Sequence, residues 1–201
     1  DDVPGYRHRN THCQVAAAAR ASRSLGRALP VFTNHASGAL RRTAAATGVS
    51  LRSIGSLPAE TFPSFLDTVQ IGLAASLSES FAYSAFDLVS RGIPAILGPA
   101  IGWAWEDERL VSACGVVHPG DVGEIAERLA QLLSDEGAYV HASARCREVA
   151  RRVAERNRCE ARAALAGLLG AGEPFRRAGR IVAAPPAGRP RQEAAGEPVD
   201  A

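Results

Sequence analysis

The segment SLSESFAYSAFDLVSRGIPAI, residues 76–96, carries two acids, Glu79 and Asp87, with seven residues between them in otherwise apolar or small-residue surroundings. A carboxylate accepts two hydrogen bonds from a vicinal diol, and backbone N–H groups at a helix start suit a phosphate or sugar oxygen. If a helix begins near Phe81, Glu79 sits at its N-terminus. Asp87 then lies about two turns further along and roughly 80° around the axis, so both acids can face one crevice. The plainer alternative makes Glu79 a cap complementing the helix dipole and Asp87 a solvated mid-helix acid. Ser76, Ser78 and Ser80 have no G-x-S-x-G elbow around them, which argues against a hydrolase nucleophile.

The elements that must position these acids are legible as an alternation. NTHCQVAAAARASRSLG reads as a helix capped by Asn10 or Thr11 and stopped at Gly26, followed by a strand, LPVFT. A second helix lies between Ser37 and Gly48, LRSI is a second strand, and ETFPSFLDTV a short third helix. IGLAA is a strand, residues 81–91 a helix, IPAIL a strand, EDERLVSAC a helix and GVV a strand. Asp121 and Glu124 make a D-x-x-E helix start, close to a capping box, for a helix running to about Ser134. Short strands, apolar on both faces and separated by helices, imply an α/β fold: a Rossmann-like parallel sheet with helices on both faces. Ligand crevices in such sheets lie outside the carboxyl ends of the strands, where the two acids fall. A long C-terminal helical segment follows from about Glu136, and the domain is expected to span residues 1–170. Residues 171–201, rich in Pro, Gly, Ala and charge without periodicity, read as a disordered tail.

With 201 residues, 46% hydrophobic content and 23 basic against 21 acidic residues, the composition is that of a soluble globular domain with one core. No basic stripe interleaved with aromatics points to nucleic acid, and no apolar run reaches the roughly 20 residues of a membrane span. Cys13, Cys114, Cys146 and Cys159 show no zinc spacing and read as reduced thiols, which favours the cytoplasm. Every basic residue is arginine. The chain starts with Asp and contains no Met, which is expected of a fragment or processed piece.

The block IGLAASLSESF, a seven-residue gap, Asp87 and then RGIPAI resembles the E-x7-E region of retaining GT-B glycosyltransferases, where S-x-x-E-x-F, an acid and G-x-P-V-V carry the sugar-nucleotide site. RHRNTHCQVAAAA resembles that family's segment in which a basic residue and Asn precede a Gln-Val-x-Ala-Ala helix. Asp87 stands where the family usually has Glu, and Gln70 replaces a common Asp.

The resemblance implies the C-terminal, donor-binding half of a GT-B enzyme, transferring a sugar from a nucleoside-diphosphate sugar to an acceptor that the sequence does not identify. It implies Glu79 and Arg9 as catalytic residues, with Glu79 approaching the donor sugar and Arg9 meeting the charge of the departing diphosphate. Arg7, Asn10, Ser78, Ser80, Phe81 and Asp87 would bind substrate, Asp87 through the ribose hydroxyls. Guanidinium binds phosphate oxygens bidentately, so Arg9 is serviceable where the family has Lys, and no metal or other cofactor is expected. Surface arginines beside a helix cap are the alternative for Arg7 and Arg9. Trp103 and Trp105 resemble a family segment ending in Trp and could wall the site. The first strand of the domain and an N-terminal acceptor-binding half or partner subunit are expected to be missing, leaving the isolated chain inactive. The alternative function is a non-catalytic sugar-nucleotide-binding module or a degenerate fragment.

Overall fold

A computed structural model describes residues 9–168. The chain divides into two units, Asp1–Arg158 and Cys159–Ala201. In the first, α1 (Thr11–Leu25) leads into β1 (Val31–Thr33), α2 (Gly38–Thr47), β2 (Leu51–Ser53) and α3 (Phe62–Leu66). Then come β3 (Gly72–Ala74), α4 (Tyr83–Ser90), β4 (Ala95–Leu97), α5 (Gly102–Trp105), α6 (Glu108–Cys114) and α7 (Val122–Ser134). The last helix, α8 (Glu136–Leu168), runs into the second unit, of which residues 159–168 are described. The expected tail lies outside the described residues.

Punctuation sets most of these boundaries. Gly26 and Gly48 close α1 and α2 in the left-handed conformation that glycine adopts freely. The Ser37 hydroxyl caps α2 at Leu40 N (3.1 Å), and Asp121 caps α7 at Gly123 N (2.7 Å) and Glu124 N (3.2 Å). The Glu124 carboxylate does not close a reciprocal capping box; it reaches further back and accepts from the amides of Val117 (2.5 Å) and His118 (2.9 Å).

The strands are short and parallel. β1 pairs with β2 and β3 with β4, and among the described residues GVV contributes only a single parallel bridge, Leu97 with Gly115, in place of a full strand. The main core surrounds β4, whose three residues are buried on both faces, as a central parallel strand requires. Ile96, Leu97, Leu110, Ile125 and Val149 are among its fully buried members. The alanine face of α1, with Ala17, Ala18 and Ala21 buried, packs on α7, since small side chains let the two backbones approach closely. Cys114 and Cys146 are buried free thiols in this core; the hydrogen bond between them, followed by burial, pushes the Cys146 thiol well above its ordinary value. No helix of the described residues is long and apolar enough to cross a membrane.

Asp107 joins α8 to the core. It caps α6 through Leu110 N (2.9 Å) and is buried against two arginines of α8. Arg145 grips both of its oxygens, with Nε at 2.9 Å from Oδ1, and Arg152 donates to Oδ2 at 2.8 Å. Arg156 extends the row to Glu106 (2.5 Å).

Candidate functional site

The loop after β3 carries Glu79, and Asp87 follows on α4. Gly98, just after β4, donates to Ala74 O (3.2 Å). A Cβ there would lie 3.1 Å from Ser76 O and 3.3 Å from Ala75 Cα, so the residue after β4 must be small for the β3 exit to lie against it. Ser76, only 3% exposed, then donates its hydroxyl to Glu79 Oε1 at 2.9 Å. That bond fixes one oxygen of the half-buried carboxylate. Among the described residues, Oε2 accepts no hydrogen bond.

Glu79 is neither on the helix nor its cap. The helix begins at Tyr83, four residues later, because Ala82 turns the chain at φ 61°, ψ 56° and no side chain caps the start. The helical angle between the acids therefore does not apply. A left-handed alanine costs about 1–2 kcal/mol. Burial of its methyl in the core and the packing of its neighbour Phe81 offset that cost.

Phe81 anchors the loop. Its ring packs against Tyr83 (centroids 4.8 Å), Phe86 (5.2 Å) and Trp103 (6.2 Å), and its carbonyl accepts from Trp103 Nε1 at 2.6 Å. Phe86 and Trp103 meet edge to face at 5.5 Å. Trp103, at the start of α5, therefore supports the acid loop from within the core, and Tyr83 stands 73% exposed at the mouth. Ser78 and Ser80 lie exposed on the same loop.

Asp87 lies in the second turn of α4, half-buried. Burial raises its carboxyl above the ordinary range, and the charge of Arg91 pulls only partly against this. Arg91 is itself engaged with Asp67 at 3.0 Å. Among the described residues, no side chain or backbone amide donates a hydrogen bond to the Asp87 carboxylate.

The third contributor comes from the start of α1. Asn10 does not cap that helix with its side chain and adopts φ 53°, ψ 33°. Its Nδ2 donates instead to Ala75 O (3.3 Å) and Pro119 O, joining the start of α1 to the β3 exit and to the loop after Val116. The cap reading of Asn10 is thereby corrected. Arg9, half-buried, is held next to this junction, and its carbonyl accepts from the buried Gln14 amide at 2.5 Å. Asn10, Ser76 and Glu79 therefore meet at the carboxyl end of β3, with Arg9 adjacent to Asn10 in the chain. Arg7 lies outside the described residues.

Sequence reasoning missed the supporting roles of Asn10, Gly98, Trp103 and Asp107. Two of them carried a signal: Asn10 through the family resemblance, and Trp103 as a large aromatic on a loop following a buried strand.

No protein-family model and no curated protein sequence matches this chain. Among solved structures it is similar to the 1.35 Å crystal structure of the C-terminal domain of a glycosyl transferase group 1 family protein (LpcC) from Francisella tularensis, with a TM-score of 0.61 and 18% identity. The match covers 73% of this chain and 80% of that one. At this identity the likeness is one of fold: the chain is a mixed α/β protein with short parallel strands that resembles the C-terminal domain of a GT-B glycosyltransferase.

Proposed function

We propose that this chain is the donor-binding half of a glycosyltransferase of the retaining, E-x7-E kind, and that it holds a nucleoside-diphosphate sugar along the edge where Asn10, Ser76 and Glu79 meet. The observation that carries this reading is the double hydrogen bond of Asn10 to the Ala75 and Pro119 carbonyls, which ties the chain segment that carries Arg9 to the β3 exit, where Ser76 orients the Glu79 carboxylate. The fold likeness to a glycosyltransferase C-terminal domain supports it independently.

In this reading Glu79, oriented by Ser76, faces the donor sugar with Oε2. Asp87 accepts from the ribose hydroxyls, which supply donors that the described residues do not. Arg9 and the uncapped first turn of α4 meet the charge that develops on the departing diphosphate, an electrostatic role needing no resident metal. Ser78 and Ser80 offer hydroxyls to the same ligand, Arg7 a second guanidinium, and Phe81 fixes the loop that carries Glu79.

Calorimetric titration of a panel of nucleoside-diphosphate sugars and the corresponding bare diphosphates tests this. Asp87→Asn should weaken both classes by about 1–3 kcal/mol. Glu79→Gln should weaken the sugar nucleotides more than the diphosphates. Thermal melts of both variants should stay close to the parent, since neither acid caps a helix. Affinities unchanged in both variants would overturn the reading.

A further inference from the structure

A cavity of about 180 Å³ opens among α6, α7 and α8. Its polar lining is Ser112 from α6, Arg128 and Gln131 from α7, and His141 from α8; Leu132 and Ala138 supply much of the apolar remainder, and no carboxylate lines it. Arg128 Nη1 donates to Gln131 Oε1 at 3.0 Å. That bond uses one of the two lone pairs of the amide oxygen and leaves the NH2 group as a donor. The lining thus includes a guanidinium, an amide, a hydroxyl and an imidazole; Arg128 is half-buried and Ser112, Gln131 and His141 are exposed, so the cavity is open to solvent. Such a set selects an oxyanion over a cation or an apolar group.

Size narrows the class. At about 30 Å³ per water the cavity has room for about six waters, and it is smaller than the roughly 300–1,000 Å³ of pockets that take nucleotide-sized ligands. Its position separates it from the acid loop. Tyr139, between Ala138 and His141 on α8, donates its hydroxyl to Gln70 O at 3.1 Å, two residues before β3 begins. The cavity therefore lies at the amino-terminal ends of the strands, and Glu79 at the carboxyl ends.

We propose that this cavity binds a small oxyanion of the size and charge of inorganic phosphate, with Arg128 as the charge partner and Gln131, Ser112 and His141 as further hydrogen-bond donors. The test is a phosphate titration of the full 201-residue chain, followed by backbone amide and histidine-ring NMR, against chloride at matched ionic strength. Saturable shifts are expected at Ser112, Arg128, Gln131 and His141, with a saturable rise in melting temperature. Arg128→Gln should weaken phosphate about tenfold or more, and Gln131→Ala, which spares the guanidinium and the core, should weaken it by less. Arg9→Gln should leave these shifts unchanged, which separates this cavity from a diphosphate subsite at the opposite edge. Shifts that never saturate, shifts confined to Arg9 and Asn10, or full affinity in both the Arg128→Gln and Gln131→Ala chains would overturn the assignment.

Discussion

Asn10 is the residue on which the candidate site depends most. Its left-handed backbone and its two long-range hydrogen bonds, to carbonyls 65 and 109 positions away, hold three segments together. Asn10→Ala loses both bonds and leaves a Cβ residue in the left-handed region without a local hydrogen-bonding side chain, so the loss should be about 2–3 kcal/mol. Asn10→Gly keeps the backbone comfortable and loses only the bonds, about 1–2 kcal/mol. Denaturant melts of the two variants should therefore rank glycine above alanine; the reverse order would mean that the backbone conformation is not what asparagine supplies. The sequence singled out Asn10 twice, as a helix cap from its position and as a substrate-binding residue from the family resemblance. Its true partners could not be read, because a contact across 109 positions leaves no local pattern.

At the scale of elements, α8 is fastened to α6 by Asp107. Burial alone would raise that carboxyl, but hydrogen bonds from Arg145, Leu110 N and Arg152 outweigh it and hold the pKa at about 2, below the ordinary 3.8. A depressed folded-state pKa stabilises the ionised protein above the ordinary value, and that contribution is lost as pH falls from about 4 through about 2. It is on the order of 2–3 kcal/mol. Asp107→Asn keeps a capping side chain but leaves Arg145 with only Glu148 and Arg152 without its partner, so stability at neutral pH should fall by on the order of 3 kcal/mol. Unfolding free energy measured from pH 5 to pH 2 should drop more steeply in the parent than in the variant; parallel curves would deny Asp107 this role. Helix ends were readable wherever a residue type enforces them, as Gly26, Ser37, Gly48 and Asp121 do. The start of α4 was not, since nothing about alanine announces that Ala82 takes a conformation alanine disfavours. The Asp107 clamp was equally hidden, its partners lying 38 and 45 positions downstream.

For the molecule as a whole, α/β alternation was legible because strands apolar on both faces and amphipathic or alanine-rich helices leave few other ways to bury their surfaces. How the strands pair was not, because short parallel strands carry no register signal, and GVV contributes one bridge where a strand was expected. The described residues form two short parallel sheets, with Glu79 in the loop after β3. In the proposed reading, where the acceptor approaches from a facing surface, the 201-residue chain should bind a sugar nucleotide without transferring the sugar. An assay of nucleoside-diphosphate release across a panel of acceptors checks this, and robust turnover by the chain alone would refute it.

The bond from the Trp103 indole to the Phe81 carbonyl also makes the acid loop optically visible. The chain has two tryptophans, and Trp103 is the one tied to a carbonyl two residues from Glu79. An indole's emission colour follows its hydrogen-bond partner and the local field, so a ligand that shifts this loop should change the fluorescence spectrum without any attached dye. Trp105→Phe should preserve that response and Trp103→Phe abolish it, which would let donor occupancy be followed in real time on the unlabelled protein.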